Sequence, residues 1–103
     1  MEEKKLVFVY GILRQGGTGA KYFDIKPEDV VGKAKLYGFE RVSVSYIRKS
    51  DNPQDFVEGE VINISKEKEK EIYRFERYYG YKRRHVDVTL EDGRTLRTIV
   101  YLV

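Results

Sequence analysis

Apolar residues along this chain fall into short blocks with two different periods. Leu6 to Tyr10 is an uninterrupted run of apolar and aromatic residues, which predicts a buried strand. It runs into Gly11 and the stretch LRQGGTGA, where no helical period can be read and a loop is predicted. AKYFD, residues 20–24, predicts a short turn of helix. From Pro27 to Ser50, Val, Leu and Tyr alternate with charged or small residues, predicting two strands broken near Gly38. DNPQDF, residues 51–56, is a polar turn cluster, and VEGEVINIS, residues 57–65, resumes the alternation of a strand.

The period then changes. Ser65 opens SKEKEKEIYRFERYY, in which a good N-cap residue precedes strong helix formers. The strict capping box fails, because Lys68 stands where Glu or Gln would complete it. On a helical wheel Ile72, Phe75 and Tyr79 define the inward face and Glu76 lies on its flank. HVDVTLEDGRTLRTIVYLV, residues 85–103, closes the chain as two strands joined at Asp92-Gly93, a strong hairpin signal. Strands, one main helix and a hairpin in that order predict an α+β fold: a small, mostly antiparallel, barrel-like sheet with one main helix.

Composition narrows the chemistry more than it changes the fold. The 103 residues suit a single domain, 1–103, and nine tyrosines with five phenylalanines supply much of its core. With no cysteine, a disulfide scaffold, a thiolate metal site and a cysteine nucleophile are excluded. One histidine, His85, leaves little for zinc or for a histidine base. Carboxylates, hydroxyls and backbone amides remain. Twenty basic and 17 acidic side chains describe an ion-paired surface rather than a dedicated polyanion binder. The opening MEEKK precedes only a short apolar run and predicts neither a secretory signal nor a membrane anchor, so a cytoplasmic protein is expected. Abundant Lys and Glu without Cys suit a heat-loving source.

Two features carry candidate chemistry. Glu76 is bracketed by aromatic residues, and an acid held against apolar surface is lifted toward the range useful for proton transfer. It reads either as a proton shuttle or as the partner of Arg14, Arg83 or Arg84 at the edge of the core. Glu67, Glu69 and Glu71 read as a solvated run. A strand ending in Gly11 can aim successive backbone N–H groups at a carboxylate or a developing oxyanion, while Leu13 plugs back into the core. The alternative is that Gly11, Gly16, Gly17 and Gly19 serve tight turns alone.

The sequence resembles the gamma-glutamylcyclotransferase family, including its AIG2-like and gamma-glutamylamine cyclotransferase branches. VFVYGILRQG is similar to the family's Tyr-Gly-x-Leu-x-x-Gly turn, here Tyr10, Gly11, Leu13 and Gly16. VVGKAKLYGFE and VEGEVINIS are like its two central strands. IYRFERYYGYKRRHVDVTLEDGRTLRTIVYLV is similar to its glutamate-bearing helix, Tyr-x-Arg segment and closing hairpin. The resemblance implies a barrel-like enzyme that cyclises a γ-glutamyl amide to 5-oxoproline and releases an amine. Glu76 would be the catalytic acid and base, and Tyr10, Gly11, Ile12 and Leu13 would bind substrate. Tyr101 resembles a tyrosine near the end of the family pattern and lines the site or packs the hairpin. Ile12 and Arg77 depart from the family, which more often has a small or hydroxyl residue and a glycine there. A small γ-glutamyl molecule is the expected partner, with no cofactor or metal, no nucleic acid and no membrane.

Two other classes of function are consistent with parts of the sequence. The fold could be kept as a noncatalytic module that binds a small molecule or a protein. RYYGYKRR beside the first strand superficially resembles the paired aromatic strands of a single-stranded RNA-binding domain, although its tyrosines begin at a helix end. Lys82, Arg83 and Arg84 read more simply as a solvated rim, or as an entry that attracts an acidic substrate.

Overall fold

The computed structural model describes residues 3–11, 21–44 and 46–103. Strands β1 (Lys4–Val9), β2 (Val30–Tyr37), β5 (Phe56–Ser65), β6 (Lys82–Leu90) and β7 (Thr95–Leu102) form a closed barrel in the order β1-β5-β2-β6-β7. Every neighbouring pair is antiparallel except β1 and β7, which close the barrel in parallel at Val7 and Ile99. Closure removes the free edges that an open sheet would expose. β3 (Phe39–Ser43) and β4 (Tyr46–Lys49) make a separate two-stranded sheet, one strand more than the alternation in this region predicts. Gly38, at φ 83°, makes the predicted break between β2 and β3. The predicted hairpin joins β6 to β7, with Gly93 at φ 90° and the Asp92 carboxylate accepting from the Arg94 amide at 3.0 Å. Of the predicted turn at 20–24, Lys21 and Tyr22 are helical; the glycine-rich loop expected after Gly11 lies outside the described residues.

Strand alternation divides the core into two layers. Phe8, Tyr10, Ala34, Leu36, Val57, Val61, Val88, Leu90 and Val100 fill the barrel interior. Val7, Val9, Ile62, Ile64, Ile99 and Tyr101 point the other way, where they meet Ile72 of the helix together with Phe23 and Ile25. β1 is therefore apolar on both faces because both are covered, which explains its uninterrupted hydrophobic run. Gly59 in β5 is what lets β1 lie so close. A Cβ there would sit 2.4 Å from the Val9 carbonyl oxygen and 2.7 Å from the Phe8 ring.

Helix α1 (Lys66–Tyr78) follows β5 without a loop. The Ser65 hydroxyl accepts from the Lys68 amide at 3.1 Å, so one half of a capping box suffices to start it. At the other end Gly80, at φ 88°, donates to the Arg77 carbonyl, and Tyr81 donates to the Glu76 carbonyl at 3.0 Å. These two bonds form a Schellman motif that turns the chain directly into β6.

Candidate active site

The buried stripe of α1 is not the one that the apolar residues alone define. Ile72 is fully buried and Phe75 half-buried, but Tyr79 is 62% exposed. Its place is taken by two glutamates. Glu69 is 2% exposed and Glu76 is half-buried. Seven residues bring the helix round by nearly two whole turns, about 20° short, so the two carboxylates lie on one face with Ile72 and Tyr73 between them.

Glu69 is thus not part of a solvated run. Its carboxylate accepts a hydrogen bond from the Tyr101 hydroxyl, and Arg83 Nη1 reaches Oε1 at 2.8 Å and Oε2 at 3.2 Å. The Arg83 guanidinium lies over the Tyr73 ring, 4.0 Å from its centroid, and Tyr73 stacks on Tyr101. Arg83 is therefore a half-buried partner of the buried Glu69 and not simply a solvated cation, whereas Lys82 and Arg84 are exposed. The spacing of Glu69 and Glu76 was the signal available in the sequence. It is masked by the glutamates at 67 and 71, which have the same composition on the exposed faces.

Glu76 has a different environment. Arg83, one of its expected ion partners, is committed to Glu69, and among the described residues the Glu76 carboxylate forms no salt bridge. Burial pushes its carboxyl up from 4.5 to about 7. Its position in the last helical turn, where free carbonyl ends disfavour negative charge, works in the same direction. Its backbone is fixed by the amides of Tyr79 and Tyr81, both of which donate to its carbonyl. Arg77, beside it, is exposed.

Tyr10 and Gly11 follow directly on the last residue of β1. The Tyr10 side chain is buried in the barrel and its hydroxyl donates to the Tyr101 carbonyl at 2.6 Å. Burial first, then the charges of Tyr81 and Glu76, push the Tyr10 phenol well up, with Arg41 opposing. Burial also raises the Tyr101 phenol, followed by the hydrogen bond and charge of Glu69, and Glu76 adds a smaller push. Glu76 thus contributes to the shift of both phenols, and the Tyr10–Tyr101 hydrogen bond joins the two tyrosines across the seam between the first and last strands. The Tyr10 hydroxyl is already committed, so what Tyr10 offers a ligand is its backbone. Gly11 is half-buried beside it. Ile12 and Leu13 lie outside the described residues. Among the described residues no group of three or more His, Cys, Asp or Glu is placed to hold a metal, and no helix is long and apolar enough to cross a membrane.

The family described as gamma-glutamyl cyclotransferase, AIG2-like, matches residues 7–103, from the middle of β1 to the last residue. The chain belongs to this family. A gamma-glutamyl cyclotransferase, AIG2-like fold also accounts for the barrel, which is shared with solved structures at low sequence identity. YkqA from Bacillus subtilis superposes with a TM-score of 0.81 at 20% identity, covering 98% of this chain and 36% of that one. A structure described as gamma-glutamyl cyclotransferase gives 0.76 at 21% identity, covering 98% of this chain and 67% of that one. An AIG2-like protein from Mus musculus gives 0.70 at 18% identity, with 98% and 78% covered. The chain thus spans little more than a third of YkqA and about two thirds of the second protein. No curated protein matches the sequence.

Proposed function

We propose that this protein cyclises a γ-glutamyl amide to 5-oxoproline and releases the amine, with Glu76 as general base and then general acid. Family membership supports the reaction class. The observation that carries the role of Glu76 is a half-buried carboxyl raised by burial to about 7, without a salt bridge among the described residues. A group with that proton affinity gives and takes a proton readily at neutral pH.

The substrate supplies its own nucleophile. Its α-amino nitrogen attacks the γ-carbonyl carbon, and Glu76 takes the proton that the nitrogen loses. The carbonyl oxygen becomes an oxyanion, for which the backbone amides that follow Tyr10 are the donors. The bond from carbon to the leaving nitrogen then breaks as Glu76 returns the proton to it. No water is consumed and no redox change occurs. Tethering nucleophile and electrophile in one molecule lowers the entropic barrier before the enzyme contributes anything. The role left for the protein is to orient the substrate and shuttle one proton, which suits a site of one acid and backbone donors.

Release of 5-oxoproline from a panel of γ-glutamyl amino acids and γ-glutamylamines tests the reaction. Glu76→Gln, which keeps the shape and removes the proton shuttle, is expected to lower kcat by about a hundredfold or more. No release from any compound in the panel would overturn the proposal in favour of a binding module on the same fold.

A further inference from the structure

We infer that Glu69 is a positioning residue of this site: by clamping Tyr101 it holds the end of β1 in place relative to Glu76. The inference rests on the reaction proposed above. Its basis is a continuous set of buried contacts between helix and barrel. The Glu69 carboxylate accepts from the Tyr101 hydroxyl, and the Tyr101 carbonyl accepts from the Tyr10 hydroxyl at 2.6 Å. Tyr10 is followed directly by Gly11. Three residues from three elements are thus joined in series, and the first of them shares a helix face with Glu76.

The Tyr101 ring is held at its face as well as at its tip. Tyr73 stacks on it with ring centroids 6.3 Å apart and 21° between planes, and Arg83 lies on Tyr73 while binding Glu69. A carboxylate this deeply buried is costly unless it is paired and hydrogen-bonded, and this one has both. Core packing alone does not call for it, since apolar replacement of a buried ion pair is often neutral or stabilising. What the polar set adds is direction: an aliphatic core can slide or repack, whereas a phenol hydrogen-bonded to a fixed carboxylate has one position. Because Glu69 and Glu76 are carried by the same rigid helix, a displacement of Tyr101 against α1 becomes a displacement of Tyr10 and Gly11 against the acid. A misplacement of about 1 Å at a reacting centre can cost on the order of a hundredfold in rate.

The test compares Glu69→Met, which keeps the length of the side chain and removes the acceptor, Tyr101→Phe and the double variant in the 5-oxoproline assay, with rates expressed per folded molecule. Each single variant is expected to lower kcat by about tenfold or more with KM within about threefold, because alignment is lost and binding at the turn is kept. The double variant is expected to be no slower than the slower single one, since both break one link. A merely structural Glu69 would lower the melting temperature and leave kcat per folded molecule unchanged. Wild-type activity with either Glu69→Met or Tyr101→Phe within twofold of it, or a double variant in which the two losses multiply, would overturn the inference and leave the reaction standing. An inactive wild type would instead overturn the reaction and the inference together. Should Glu69→Met fail to fold, Tyr101→Phe, which leaves the Glu69–Arg83 pair intact, reports on the same link through its kcat and KM.

Discussion

The Tyr10 hydroxyl donates to the Tyr101 carbonyl at 2.6 Å, tying the last buried residue of the first strand's run to the end of the last strand. These two strands close the barrel in parallel, so the bond sits at the seam. Tyr10→Phe keeps the ring, its packing in the barrel and its stacking on Phe8. It removes one buried hydrogen bond, for a loss of about 1–2 kcal/mol. That corresponds to a melting temperature lower by roughly 4–8 °C per kcal/mol in a domain of this size. Calorimetry of the variant checks it, and an unchanged melting temperature would show that the seam does not depend on this bond.

A second prediction concerns the helix end that holds Glu76. Gly80 has φ 88°, where a Cβ costs about 1–2 kcal/mol, although it would meet no atom within 4 Å. Gly80→Ala is therefore expected to lower stability by about 1 kcal/mol through strain alone. It also loosens the turn in which Tyr81 donates to the Glu76 carbonyl, so turnover should fall more than stability does. Gly93→Ala is the control. It has φ 90° and equally open surroundings, but lies in the β6–β7 hairpin, at the end of β7 opposite Tyr101. Denaturant midpoints for both and turnover for both separate the two effects; equal turnover losses would deny the C-terminal turn any part in placing Glu76.

Both glycines illustrate how far the sequence could be read. The barrel strands, the helix start at Ser65 and the hairpin at Asp92-Gly93 are local events, set by alternation, capping and turn chemistry, and they lie close to where the pattern puts them, except that β6 begins at Lys82, three residues before the predicted His85. The extra strand Tyr46–Lys49 was not separable, because its partner β3 carries the same alternation without a glycine between them. Barrel closure depends on β1 meeting β7 across nearly the whole chain, which no local pattern encodes. On the helix, the partial burial of Glu76 was legible because apolar neighbours set it apart. Glu69 was not, since its burial is decided by Tyr101 and Arg83 from other strands and its own neighbours are lysines. Tyr79 fails for the converse reason: it lies one residue past the helix and takes part in the terminating turn.

The pH dependence of the reaction follows from the burial of Glu76. A general base acts only when ionised, so activity should rise with pH as the Glu76 carboxyl titrates, with a midpoint near 7 rather than near its ordinary 4.5. Carbon NMR of the glutamate side-chain carboxyls gives the value directly in the free enzyme, with Glu76→Gln assigning the resonance. A titration midpoint below about 5 would mean that water reaches the carboxylate freely, and the acid/base role would lose its physical basis.

The same shift fixes the sign of a stability effect. In the unfolded chain Glu76 ionises around its ordinary 4.5, whereas in the folded protein it keeps its proton up to about 7. Between these values the folded state binds the extra proton, so rising pH favours unfolding until the folded carboxyl has ionised as well. Below 4.5 the group is protonated in both states and has no such effect. Glu76→Gln removes the titration and keeps the side chain's shape. The variant should match the wild type at pH 4 and be more stable at pH 8, by about 1–2 kcal/mol after discounting for solvent around a half-buried group. Denaturant unfolding at the two pH values measures the difference. A variant less stable than the wild type at pH 8 would mean that the ionised carboxylate is a favourable partner in the fold, and an acid held by such a bond is a poor carrier of protons.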